Sequence, residues 1–382
     1  MILREATETD PLATTIRQHF SELTDPRRRE PVYPLMDMVV MSLCAVICGA
    51  DDFVAIAQWA RSKKQFLSRF MNVSRGIPSH DRFNAVFAAL RPGEFERCLL
   101  NWVTALHQIT GGQIIAIDGK TLRRSYDAAS SKAAIHMVSA WATANHISLG
   151  QVVVDEKSNE ITAIPKLLKL LEIGGSLVTI DAMGCQTEIA ETIVAGGGDY
   201  CLAVKRNQPT LYDGIEAFFE NQMEAEFAGT NVRVHETHER GHGREESRYY
   251  WICRVPADLA DASRWKHLRA IGMTMNVTVR DGREHTEIRY YILSRYLAGR
   301  KFAEAVRGHW SIENRLHWQL DVSFGEDQCR LRKGHSDANF SILRRTALSL
   351  LKNNTTAKVG IKNKRLLAGW NDDYLTELLF GQ

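Results

Sequence analysis

The chain reads as an α/β protein: a mixed sheet flanked by helices, preceded by an all-α unit and interrupted by a β-rich insertion. Three observations predict this. Residues 1 to about 105 carry apolar side chains at helical spacing. From Gln113 the period changes, giving three strands in succession and then helix and strand in alternation. After Asn221, long stretches alternate polar and apolar before a further helix begins near residue 300. Strands followed by alternation describe an antiparallel meander that feeds right-handed parallel crossovers in one sheet.

The elements follow in order. "PLMDMVVMSLCAVICGA" is apolar almost throughout, but it carries Asp37 and is short for a membrane span, so it reads as a buried helix. "DDFVAIAQWARSKKQFL" is an amphipathic helix with a basic face. In "PSHDRFNAVFAAL", Ser79 is an N-cap, with Phe83, Val86, Phe87 and Leu90 at i, i+3, i+4 and i+7. "QIIAID" is a buried strand, and "IHMVSAWAT" and "ISLGQVVVDE" form a hairpin across "ANH". A helix capped by Ser158 or Asn159 comes next. It is followed by strand "SLVTID", helix "CQTEIAETIVAGG", strand "DYCLAVK" and helix "QPTLYDGIEAFFE". In the β-rich block, Asp281-Gly282 marks a hairpin turn. The resulting division is 1–105 (helical), 106–221 (first part of the α/β core), 222–298 (β insertion), 299–352 (a core helix and a basic helix) and 353–382 (a basic tail).

Composition is that of an ordinary globular protein, with 45% apolar and 24% charged residues in 382. Net charge is +3, but it is unevenly spread. Arg330 to Arg365 hold ten Lys or Arg against one acid, Asp337, an excess of +9 that leaves −6 for the rest. A basic end on a mildly acidic body is a pattern of nucleic-acid contact. The seven cysteines are odd in number and scattered, as buried thiols of a reducing cytoplasm would be. "MILREATETD" is no signal peptide.

The functional question lies in "IIAIDGKTLRRS" and "SLVTIDAMGCQT". Each is an apolar run that ends on a carboxylate, Asp118 in the first and Asp181 in the second. In the meander-and-crossover topology the fourth strand lies beside the first, which makes the two acids neighbours. A third acid, Glu313, falls on the Phe302, Val306, Trp310, Leu316, Leu320 stripe of the last helix, where burial is costly without a partner. It either pairs with Arg307 or Arg315 or faces the two aspartates. Three converging carboxylates would not all ionise without a cation, and oxygen donors alone suit Mg²⁺ or Mn²⁺. Two such ions are the apparatus of phosphoryl transfer. Asp321 is the second choice for the third ligand, roughly 80° off the face of Glu313 on an α-helix; Glu326 and Asp327 also lie close.

At this point the chain resembles a known family. "AIDGKTLRRS", "TIDAMGCQ", "AVKRNQP", "HGREESRYY" and "HWSIENRLHWQLDVSFGED" are similar to the DDE transposases of bacterial insertion sequences, specifically the H-repeat-associated group. "DPRRREPVYPLMDMVVMSLCAVICGADDFVAIAQWA" and "IPSHDRF" resemble that group's N-terminal associated domain. The resemblance implies a ribonuclease-H-like core with a β insertion before the last acid. It makes Asp118, Asp181 and Glu313 the catalytic, metal-binding triad. It also implies hydrolysis of a phosphodiester at the element ends, then strand transfer, by an oligomer bound to terminal-repeat and target DNA at the nucleoid. The alternative is a catalytically silent descendant that only binds DNA.

Related transposases carry Tyr, Arg, Glu and Lys at i, i+3, i+7 and i+14 on the last helix. The corresponding residues are Val306, His309, Glu313 and Leu320, so only the glutamate matches. Arg307, His309, Asn314 and Arg315 are then the candidates for phosphate contact on that helix. Lys120, Arg123 and Arg124 after the first acid, and Lys205 and Asn207 after the last core strand, lie where a DNA backbone would run. In the His-rich "VHETHERGHGRE", His242 and Arg244 read as DNA contacts rather than zinc ligands. Trp251 reads as core, with base stacking as the alternative. Arg330, Arg332 and Lys333 are expected on phosphates, and Arg344, Arg345 and Lys352 on the flanks or outer side of the basic helix.

Overall fold

The helical signals of the first hundred residues resolve into four main helices. In the computed structural model, residues 18–107, 113–121, 136–154, 159–241 and 243–381 are described. Helix α1 (Leu35–Ile47) follows Pro34, and its residues from Asp37 to Ile47 are buried apart from Val40. Asp52 caps α2 (Phe53–Ser62), its carboxylate accepting from the Ala55 amide at 2.7 Å. Ser79 caps α3 (His80–Ala89), with Phe83, Val86, Phe87 and Leu90 buried. Helix α4 spans Pro92–His107. Among the described residues no helix is long and apolar enough to cross a membrane.

The change of period at Gln113 opens the sheet. Strands β1 (Ile114–Thr121), β2 (His136–Ala142) and β3 (Ile147–Val154) form the antiparallel meander. Helix α5 (Glu160–Leu168), capped by Asn159, leads to β4 (Leu177–Ile180), which lies parallel to β1. Helix α6 (Thr187–Ala195) leads to β5 (Asp199–Val204), parallel to β4, and α7 (Pro209–Glu224) follows.

The insertion is not a separate β layer. Strands β6 (Val232–Gly241), β7 (Arg244–Arg254), β8 (Ala270–Arg280) and β9 (Arg283–Leu293) continue the same sheet, because β9 pairs antiparallel with β5. The nine strands run β3-β2-β1-β4-β5-β9-β8-β7-β6. The β8–β9 turn uses Asp281 and Gly282 at φ 52° and 73°, as a tight hairpin turn requires.

The chain then crosses back over the sheet as α8 (Gly299–Ser311), a π-helical segment (Ile312–His317) and α9 (Trp318–Phe324). Helix α10 (Ser336–Asn353) is buried from Ser336 to Leu351. It packs on α1, α3, α4 and β3. Its Asn339 amide donates to the Phe87 and Leu90 carbonyls at 2.7 and 3.0 Å, satisfying groups that α3 leaves open at its C-terminal end. Residues 353–382, expected as a tail, contain helices α11 (Ile361–Trp370) and α12 (Asp372–Phe380).

Alternation along β1 assigns its side chains to two cores. Ala116 joins the core shared by α1–α4, the π segment, α9 and α10. Ile115 and Ile117 face α5, α6 and α7.

Candidate active site

The register of β1 and β4 settles where the two aspartates lie. The last parallel partners are Ile117 and Ile180. Asp118 and Asp181 each come one residue later, so they emerge side by side on neighbouring parallel strands. β1 itself does not stop at Asp118; it runs on to Thr121 against β2. By alternation Asp118 shares the face of Ala116, towards the crossing helix. Asp181 closes its own loop, its Oδ1 accepting from the Met183 and Gly184 amides at 3.1 and 3.3 Å.

The crossing helix brings three side chains to this edge. His317 Nδ1 lies 3.3 Å from Asp118 Oδ2. Burial pushes the Asp118 carboxyl up, but His317, with His309 nearby, outweighs it and holds the group below its usual range. His309 Nδ1 is 3.4 Å from Thr179 Oγ1. Burial pushes its imidazole down against the pull of Asp118 and Asp181. Glu313 shifts the other way: partial shielding of its carboxyl from solvent pushes it up, Asp118 and then Asp181 add to this, and His317 and Arg289 oppose it. Neither arginine suggested as its partner takes it. Arg307 bonds Glu239 at 2.7 Å, and Arg315 bonds His146 at 2.8 Å.

Glu313 is nevertheless not in the apolar stripe. The buried residues are Phe302, Ala303, Ala305 and Val306, then Ile312, Leu316 and Leu320, while Glu313 is exposed and Trp310 is 36% exposed. Trp310 lies against Arg289, whose guanidinium carbon is 4.2 Å from the ring centroid.

The donor chemistry of Asp118, Asp181 and Glu313 suits a hard divalent cation. The upward push on the Glu313 carboxyl comes first from partial shielding and then from Asp118 and, less, Asp181; the repulsive part is what such a cation would relieve. Among the described residues, no three Asp, Glu, His or Cys side chains are gathered closely enough to hold a metal ion.

Residues 17–103 match the family described as "DDE_Tnp_1-associated", and residues 109–350 match that described as "Transposase DDE domain". The chain belongs to the DDE transposase family. It is 39% identical over 375 residues to "H repeat-associated putative transposase YhhI" of Escherichia coli (strain K12), covering 96% of this chain and 98% of that one. It is 38% identical over 370 residues to "Putative transposase YncI" of Escherichia coli O157:H7, covering 96% and 94%. Among solved structures it is similar to the chain in "Cryo-EM structure of piggyBac transposase synaptic complex with hairpin DNA (SNHP)", with a TM-score of 0.39 and 10% identity, covering 97% of this chain and 79% of that chain.

Within this DDE transposase the residues expected on DNA separate. Lys120 is turned inward: its ammonium bonds Asp321 and, at 2.9 Å, Glu326, and its side chain is 9% exposed. It is therefore a structural cation, and Asp321, the rival third ligand, is its partner. Burial raises the Asp321 carboxyl while Lys120 pulls it down. Asn207 donates to the Ala182 carbonyl at 2.7 Å and so braces the loop behind Asp181. His309 belongs to the acid cluster rather than to an outer surface. Arg244 pairs with Glu246 at 2.9 Å. Lys205, Asn314, Arg330, Arg332 and Lys333 are exposed. Arg123, Arg124 and His242 lie outside the described residues. Trp251 stacks on Tyr249 and Phe227, ring centroids 5.8 and 6.5 Å away.

One site neighbour, His317, was not singled out from the sequence. His317 could have been suspected from its place four residues after Glu313, on one side of a helical turn.

Proposed function

We propose that this chain is a working DNA transposase of an insertion-sequence element, with Asp118, Asp181 and Glu313 as its catalytic carboxylates. On this reading β1 to β5 form a ribonuclease-H-like core, and β6 to β9 extend it towards DNA. The observation that carries the proposal is the β1–β4 register, which delivers two acids together at one sheet edge, with Glu313 in their field. Two Mg²⁺ or Mn²⁺ ions held there would activate an attacking oxygen and stabilise a leaving one. His317 orients Asp118 and favours its carboxylate form. Lys205, Asn314, Arg330, Arg332 and Lys333 are exposed, where a phosphate backbone would meet them. The substrates are the terminal repeats and then target DNA, engaged by an oligomer at the nucleoid.

The test is Asp181→Asn, which keeps shape and removes one anionic donor. Strand cleavage of a terminal-repeat duplex with Mg²⁺ should fall at least a hundredfold, while binding to the same DNA persists or tightens. Cleavage at a near wild-type rate would overturn the proposal. If the wild-type chain binds the repeat without cutting, in either metal, it is a silent DNA-binding descendant.

A further inference from the structure

Glu160 adds a carboxylate beyond the three that the resemblance assigns. It opens α5, on the face of the sheet opposite the π-helical segment, and it reaches the edge directly behind Asp118. Gly119 makes this possible. By alternation its missing side chain would point towards α5. A Cβ at Gly119 would stand 2.1 Å from Glu160 Oε1 and 2.4 Å from its carboxyl carbon. The carboxylate is also anchored. His136 Nε2 lies 2.5 Å from Glu160 Oε1, and Thr121 Oγ1 lies 2.7 Å from Nδ1 of the same ring.

Burial pushes the Glu160 carboxyl up; His136 pulls it down, and Asp118 and Asp181 push it up again. Both oxygens and the carboxyl carbon of Glu160 lie within 2.9 Å of where a Gly119 Cβ would stand, so the whole carboxylate is packed against the backbone that follows Asp118. The strand aspartates lie between a helix glutamate on each face of the sheet, Glu313 on one and Glu160 on the other.

We propose that Glu160 is a fourth carboxylate of the cation-binding centre, admitted by the open backbone at Gly119 and aimed by His136 and Thr121. This rests on reading Asp118, Asp181 and Glu313 as that centre. His136 and Thr121 are positioning residues: they hold the Glu160 carboxylate towards the sheet edge.

The test is calorimetric titration of the intact chain with Mn²⁺ alone, alongside its metal-free thermal midpoint. Glu160→Gln keeps the side-chain shape and an acceptor for His136. It should weaken Mn²⁺ binding about tenfold or more, without lowering the midpoint. Gly119→Ala changes no charge, yet it displaces the end of the Glu160 side chain and should weaken Mn²⁺ in the same direction. His136→Asn, which loosens the carboxylate but leaves it present, should weaken Mn²⁺ less than Glu160→Gln. Asp181→Asn is the reference. If Asp181→Asn loses Mn²⁺ while Glu160→Gln and Gly119→Ala bind it as wild type does, Glu160 is a structural partner of His136 and the inference falls alone. If Asp181→Asn also binds Mn²⁺ normally, the reading of the centre falls and the inference falls with it.

Discussion

Lys120 shows how one residue's role is decided by what closes over it. Two positions after Asp118, it stands where a phosphate contact is natural to expect. Its ammonium instead joins β1 to Asp321 on α9 and to Glu326 just beyond. The Glu326 side chain is fully buried, and its second oxygen accepts from Ser341 on α10 at 2.8 Å. Burial alone would push this carboxyl up, but Lys120, with Arg345 and Arg344, overrides it and brings it down to about 2. A carboxyl whose pKa is lower in the folded than in the unfolded chain stabilises the fold above its ordinary value, near 4.3. That contribution is lost as pH falls from there through about 2. Glu326→Gln should therefore cost about 3–5 kcal/mol at pH 7, because it strands buried cations. The deficit relative to wild type should shrink as both are titrated from pH 5 towards pH 2. Urea unfolding at several pH values measures both. A variant with the wild-type midpoint at pH 7 would mean that the pair contributes nothing net.

At the scale of elements, what local pattern reveals is what local physics determines. Ser79 as a cap, Asn159 as one of two candidate caps, the Asp281-Gly282 turn, and the two aspartates side by side on neighbouring strands were legible, because each depends on a few adjacent residues or on simple topology; that β1 runs on past Asp118 to Thr121 was not. The position of Glu313 was misread for a definite reason. Counting 100° per residue assumes an unbroken α-helix, and Ile312–His317 is π-helical, a turn that carries an extra residue. The buried stripe is thereby re-phased between Val306 and Leu316, and Glu313 leaves it. Deleting exposed Asn314 should let the segment relax to an α-helix while keeping both buried stripes in place. Glu313 and His317 would then be three residues apart instead of four. The thermal midpoint should hold or rise, DNA binding should persist, and cleavage should fall on the order of a hundredfold, as small misplacements of catalytic groups do. Unimpaired cleavage by the deletion variant would show that the π turn has no part in placing Glu313.

At the scale of the whole molecule, the basic C-terminal region is the feature that sequence judged least well. Local amphipathicity left Arg344 and Arg345 on the flanks or outer side of α10, yet they are 1% and 2% exposed. The cause is long-range: the N-terminal helices cover one side of α10 and the sheet another, so no outer face is left. Lys364 and Arg365, also buried, act on backbone. Lys364 donates to the Leu351 and Asn354 carbonyls at 2.8 and 2.6 Å, at the end of α10. Arg365 donates to the Val46 carbonyl at 2.9 Å, at the end of α1. Cations at helix C-termini are favoured by the helix dipole as well as by the open carbonyls. Four of the ten basic residues between Arg330 and Arg365 are thus committed to the interior, and the excess available to DNA is smaller than the sequence suggests. Arg330, Arg332 and Lys333 remain exposed, on the segment that joins α9 to α10 directly after the crossing helix. If they meet DNA phosphates, each contributes about −0.9 to the slope of log affinity against log salt. Replacing all three with alanine should flatten that slope by roughly two to three units and weaken specific and random DNA alike. Loss of affinity for the terminal repeat alone, with the slope intact, would instead mean that this segment reads bases. An unchanged slope and affinity would turn it towards solvent or a second subunit.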